Sequence, residues 1–167
     1  NKLYVGLQRG TRFFYTVSHE MPGICPICGG KLDYRDNRLR IFKEYGGDKK
    51  RLLIRRLKCK CGRLHHEIPD FLVPHKHYTN EVLENVLDDV STPADLSSED
   101  YPCEITMKRW KNWLSRNRCQ IEGMLRTIGY KLPEFTVTLL KSRISLLTGL
   151  RESGSDWLAT IHRLIYN

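Results

Sequence analysis

Six cysteines occur in this chain of 167 residues, and four of them fall into two tight pairs, Cys25-Pro26-Ile27-Cys28 and Cys59-Lys60-Cys61. Close pairs separated by a long insert are a metal-ligand pattern rather than a disulfide framework. Thiolates persist as ligands in a reducing compartment, which implies a cytoplasmic metalloprotein. Glycine follows each pair, at Gly29 and Gly62. After the first pair it tolerates the tight turn that aims backbone N–H groups at the sulfurs. Four thiolates, Cys25, Cys28, Cys59 and Cys61, make a closed tetrahedral set that suits a structural Zn2+. The second pair has a single residue between its cysteines where zinc ribbons usually have two, so His65 or His66 stands as an alternative ligand. Cys103 and Cys119 are left over and read as small apolar fillers.

Catalytic patterns near the cysteines break at a required residue. His66-Glu67 begins the metalloprotease motif His-Glu-x-x-His, but Asp70 stands where the second histidine is needed. His65-x-Glu67 imitates the first half of a deaminase signature; its second half fails because Thr106 replaces the second cysteine after Pro102-Cys103. No set of carboxylates is spaced on strands for a two-metal site. The expectation is a protein that is not an enzyme.

Charge is distributed unevenly. Residues 1–79 carry 17 basic and 7 acidic side chains, residues 80–107 carry 8 acids and no Lys or Arg, and residues 108–167 carry 11 basic and 4 acidic side chains. Two basic regions flanking an acidic one point to a polyanionic partner. No stretch approaches the roughly 18–20 apolar residues of a membrane span, and no signal peptide is visible.

The elements that must position these residues follow from periodicity. Leu3-Tyr4-Val5 and Phe13 to Val17 read as short strands. Strands are expected over 38–45, 51–58 and 65–68, with Gly46-Gly47-Asp48 as a hairpin turn. From Thr79 the pattern turns helical. It predicts a helix from Asn80, a short acidic helix from Thr92-Pro93, and a third helix over 104–116 whose apolar face is Trp110, Trp113 and Leu114. Further helices are expected over 120–128, 134–151 and 155–166. The fold class is α+β: a small β zinc ribbon (1–78) followed by an all-α bundle (79–167) containing a helix-turn-helix at about 79–117.

In a helix-turn-helix the last helix lies in the major groove with its N-terminal residues at the bases. Here Thr106, Lys108, Arg109, Lys111, Asn112 and Arg116 are the candidate contacts to double-stranded DNA. Arg55, Arg56, Lys58 and Arg63 crowd the ribbon and suit phosphate contacts. Two other readings compete: a ribbon that docks a protein partner, and a single-strand binder that stacks bases on Tyr34, Phe42 and Tyr45. The last helices are read as core or as a homodimer interface.

The stretches Cys-Pro-Ile-Cys-Gly-Gly at 25–30, Leu-Ile-Arg-Arg-Leu-Lys-Cys-Lys-Cys-Gly-Arg-Leu-His-His-Glu-Ile-Pro-Asp at 53–70 and Tyr-Pro-Cys-Glu-Ile-Thr-Met-Lys-Arg-Trp-Lys-Asn-Trp-Leu at 101–114 resemble an uncharacterised bacterial family. Its members pair a zinc ribbon with a helix-turn-helix and are catalogued as a domain of unknown function. The ribbon also looks like those that precede helix-turn-helix modules in several transposases. The resemblance covers roughly residues 24–130. It implies DNA binding by a regulator or accessory factor of a mobile element.

Overall fold

A computed structural model describes residues 3–9, 12–18, 23–44, 47–95, 102–132, 135–154 and 156–166, with backbone alone for 3–9, 12–18, 131 and 163–166. The fold is α+β, and the chain forms two compact units, Asn1–Thr79 and Asn80–Asn167.

The first unit is one five-stranded sheet built on β4 (Lys49–Cys59). Strand β3 (Leu32–Lys43) runs antiparallel along one edge of β4. The other edge is shared by β2 (Arg12–Ser18), parallel, and β5 (Leu64–His66), antiparallel. β1 (Leu3–Arg9) pairs antiparallel with β2. β3 begins well before the expected start at Arg38, because a bulge between Tyr34 and Asp36 shifts the register and lets pairing continue through a polar stretch. Gly47, at φ +81°, donates its N–H to Glu44 O at 3.1 Å and helps close the β3–β4 connection. Gly46 and Tyr45 lie outside the described residues.

Burial along β4 changes face partway. Leu52 and Ile54 are buried on one face, and Leu57 and Cys59 on the other. The switch falls at Arg55 and Arg56, both half-buried. The first half of the strand packs with Phe42 and Leu72, and Ile68 and Phe71 close the cluster. Arg40 fastens the covering loop by donating to Val73 O at 2.7 Å and Lys76 O at 2.6 Å. The second half of β4 brings Cys59 to the other pair of cysteines. Phe42 is buried in this core, which removes it from the set of stacking residues; Tyr34 is exposed.

In the second unit, α1 (Asn80–Leu87) and the 25-residue α2 (Glu104–Ile128) pack through Val82, Val86, Met107, Trp110, Leu114, Ile121 and other buried side chains. The two helices expected over 104–116 and 120–128 are one. No glycine or proline separates them, and Asn117, the polar residue at the expected break, donates its side chain to Trp113 O at 2.7 Å inside the helix. Trp113 is 36% exposed rather than part of the apolar face; the spacing that buries Trp110 and Leu114 turns it toward solvent. The short helix expected from Thr92 is not formed over 92–95. There Thr92 N–H donates to the Asp95 carboxylate at 2.5 Å and Asp95 N–H to Thr92 O at 3.1 Å, a closed turn. Residues 96–101 lie outside the described residues.

The helix expected over 134–151 is split into α3 (Val137–Lys141) and α4 (Leu146–Glu152). Two side chains one turn apart on α2 fit the split. Arg126 donates to the carbonyls of Leu140, Ser142 and Ile144 at 2.7–2.9 Å, satisfying the end of α3 and the linker. Glu122 accepts from Leu146 N–H at 3.0 Å, Leu147 N–H at 3.1 Å and the Ser145 hydroxyl, satisfying the start of α4. Glu84 on α1 caps α5 (Trp157–Tyr166) in the same way, through Asp156 N–H at 3.1 Å and Leu158 N–H at 2.7 Å. Leu146, Leu147, Leu150, Trp157, Leu158 and Ile161 are all buried in this unit's own core. Among the described residues no helix is long and apolar enough to cross a membrane.

Burial alone would raise the Glu122 carboxyl, but the Ser145 hydroxyl and the two backbone amides outweigh it and hold the pKa below its ordinary value. Its stabilising effect is therefore present above the unfolded carboxylate value of about 4.3 and is lost as pH falls through the lower folded value. Glu122→Ala is expected to cost about 1–2 kcal/mol in urea unfolding at pH 7, with a smaller gap to the parent protein at pH 3. An equal gap at both pH values would contradict this capping role.

Candidate metal centre and basic helix face

The first knuckle is a short hairpin between the Ile24–Lys31 bridge partners. Cys25 N–H donates to Gly30 O at 2.8 Å, and Gly29 N–H donates back to Cys25 O at 2.8 Å, with Gly29 at φ +68°. The second knuckle joins β4 to β5. Cys59 N–H donates to Arg63 O at 3.0 Å and Gly62 N–H to Cys59 O at 2.9 Å, with Gly62 at φ +86°. Each hydrogen bond of the second turn spans one residue fewer than its counterpart in the first. The shortened Cys59-Lys60-Cys61 spacing is thus absorbed by a tighter turn around a left-handed glycine.

The four sulfurs converge. Cys25 Sγ lies 3.9 Å from Cys61 Sγ, Cys28 Sγ lies 3.3 Å from Cys59 Sγ, and all four lie within 4.8 Å of one another. A tetrahedron with metal–sulfur bonds of about 2.3 Å has edges of about 3.8 Å, so the set fits one ion. Gly30 belongs to this fit, since a Cβ there would meet Cys28 Sγ at 3.3 Å and Cys59 Sγ at 3.4 Å. Cys25 and Cys59 are buried, while Cys28 and Cys61 are exposed.

The electrostatics of four adjacent thiols favours a cation. Burial opposes ionisation of Cys25, yet the N–H groups of Ile27 and Cys28 and the thiols of Cys28 and Cys59 bring it down to about 6. Cys59 has the Cys61 N–H favouring its thiolate, but the sulfurs of Cys28, Cys61 and Cys25, together with burial, push it up to about 12. One thiolate raises the cost of the next until a positive ion compensates them.

His65 lies at the edge of the cysteine cluster. Its Nε2 lies 3.4 Å from Cys25 Sγ, but it is not among the donor atoms that converge mutually. It sits beside the cluster, where an imidazole N–H can donate to the Cys25 sulfur. His66 follows it on β5 and lies on the opposite face, in register with Arg56.

The candidate nucleic-acid residues fall on both units. On α2, Lys108, Arg109, Asn112 and Arg116 are exposed, and Ile105, Trp113 and Gln120 share their face at helical spacing. Between Glu104 and Glu122 the helix carries no acidic residue. Thr106 is half-buried beside Cys103 Sγ at 3.3 Å, and Lys111 is tied to Asp89. On the sheet, Arg55 and Arg56 alternate to opposite faces. Arg55 pairs with Glu67 at 3.5 Å and lies 5.7 Å from the Tyr34 ring centroid. Arg56 forms a bidentate pair with Asp36, whose carboxyl it holds below the ordinary value. Lys58 and Arg63 are exposed. The basic side chains of the sheet are therefore divided between faces, which strand alternation predicts once the register is known.

Sequence reading overlooked Gly30, whose missing Cβ admits two sulfurs. The signal for it was the Gly-Gly pair after Cys28.

Fold and site together define a small sheet closed by a four-cysteine cluster and followed by a helical unit. The family model described as a domain of unknown function, DUF6431, matches residues 25–110, about half of the chain, and the chain belongs to that family. No curated protein and no solved structure matches it.

Cys61→Ser is expected to abolish stoichiometric metal retention and to lower the unfolding temperature. His65→Gln is expected to keep one ion per chain while weakening its affinity about 10–100-fold, the usual effect of losing a partner of a ligand. Competition with a chromophoric chelator measures both. Full metal loss in His65→Gln with retention in Cys61→Ser would make the histidine the ligand.

Proposed function

We propose that this chain is a non-catalytic DNA-binding protein in which Cys25, Cys28, Cys59 and Cys61 hold a structural Zn2+ and α2 carries the contact surface for the duplex. Four thiolates leave no open coordination position, and tetrahedral sulfur sites suit zinc. The first unit then works as a zinc ribbon. The observation that carries the DNA reading is the outer face of α2, where Lys108, Arg109, Asn112 and Arg116 stand exposed with no carboxylate among them.

The acidic segment before α2 would oppose a phosphate backbone if its carboxylates faced outward. Several are turned to internal tasks. Glu84 caps α5, Asp88 accepts from Trp157 Nε1 at 2.9 Å and Arg151 Nε at 2.7 Å, Asp89 holds Lys111, and Asp95 closes the Thr92 turn. The N-terminal half of α2, about 18 Å long at 1.5 Å per residue, is the part that enters the major groove. Lys108 and Arg109 take base edges or phosphates and Arg116 a phosphate. This geometry suits a regulator or an accessory factor of a mobile element.

Fluorescence anisotropy with a 20-base-pair duplex across 50–200 mM salt tests the proposal. Binding is expected to weaken linearly on logarithmic axes. Arg109→Ala should cost about 1–3 kcal/mol at a preferred sequence if it reads a base, and Arg116→Ala should reduce the salt slope by about one. No duplex binding by the metal-loaded protein at 50 mM salt would overturn the reading.

A further inference from the structure

Strand register gathers a group of basic side chains on the sheet of the first unit. Asp36 on β3, Arg56 on β4 and His66 on β5 lie in one row across three strands, since Asp36 pairs with Arg56 and Arg56 with His66. Arg38 sits two positions along β3 on the same face, opposite Ile54. We propose that Arg38, Arg56 and His66 form a phosphate-binding site on this face of the sheet, taking a backbone phosphate of nucleic acid.

The charge balance of the row carries the inference. Both carboxylate oxygens of Asp36 are taken by Nε and Nη2 of Arg56. That grip fixes the guanidinium plane and leaves the two Nη1 donors for another acceptor. Arg38 and His66 are exposed, and among the described residues neither has a hydrogen-bond or ion-pair partner. With Arg56 balanced by Asp36, Arg38 and Arg40 leave this face net positive, a field that favours an anion. His66 lies within that field: burial first, then Arg38, Arg56 and Arg40, hold its pKa below the ordinary value, and Asp36 opposes them. Arg40 adds to the field but is spent on the Val73 and Lys76 carbonyls.

Two guanidinium groups and an imidazole suit the tetrahedral oxygens of phosphate. Nucleic acid is the favoured source because Lys58, exposed and on the same face of β4 as Arg56, extends the row as a backbone contact would. The choice of nucleic acid as ligand rests on the DNA reading above; the phosphate site itself does not.

The test uses the 167-residue, metal-loaded chain with a 20-base-pair duplex over a salt series, and with inorganic tripolyphosphate followed by NMR of the His66 ring. Arg38→Ala is expected to weaken duplex binding equally for unrelated sequences, to lower the salt slope by about one, and to abolish the His66 shift caused by tripolyphosphate. Arg38→Lys should restore most of the slope. Metal content and melting temperature check that both variants are folded. If Arg38→Ala keeps parental affinity and slope while Arg116→Ala loses them, the sheet site is wrong and the DNA reading stands. If the parent chain binds no duplex but tripolyphosphate still shifts His66, the phosphate site stands and the nucleic-acid source falls. Absence of both responses overturns both.

Discussion

Four sulfur atoms must reach one point from two turns that lie far apart in the chain, and the first unit is arranged around that requirement. β4 meets it by changing the face it buries. Leu52 and Ile54 enter the cluster with Phe42 and Leu72, and Leu57 and Cys59 face the other way toward the knuckles. The described core cluster of this sheet is small. Each fully buried aliphatic or aromatic side chain contributes about 1.5–3 kcal/mol, whereas an ion in a small four-ligand module contributes on the order of 10 kcal/mol to folding. An ion held there would be the largest single term, and the glycines matter because Gly29 and Gly62 take left-handed turns while Gly30 leaves room for two sulfurs.

The second unit solves a different problem. Short helices such as α3 and α4 leave most of their terminal N–H and C=O groups unsatisfied. Side chains from the two earlier helices supply partners: Glu122 and Arg126 from α2 for the α3–α4 junction, and Glu84 from α1 for the start of α5. Within the acidic segment Glu84 is consumed in this way, while Asp88 and Asp89 pair with Arg151 and Lys111. The outer face of α2 is basic along the stretch that holds Lys108, Arg109 and Arg116.

The cysteine pairs were legible because ligand spacing is local chemistry, and the strands because aromatic and β-branched runs alternate with turn residues. What could not be read was set by distant partners. The local signal for a break is slight, an N-cap serine at Ser145; Arg126 and Glu122, on another element, hold it. The division of Arg55 from Arg56 depends on register, and so does the row that joins Asp36, Arg56 and His66. The continuous α2 was a different kind of miss. The gap expected between helices over 104–116 and 120–128 has no glycine or proline in it to end the helix. Trp113, expected on the apolar face with Trp110 and Leu114, has an angular position beside the exposed basic residues.

The central claim is that one ion is held by four cysteine sulfurs. X-ray absorption at the zinc edge of the protein as purified tests it most directly. The account predicts one equivalent of zinc with a single shell of four sulfur neighbours at about 2.3 Å. A shell that includes nitrogen or oxygen at about 2.0–2.1 Å, or a folded chain that carries no metal, would contradict it.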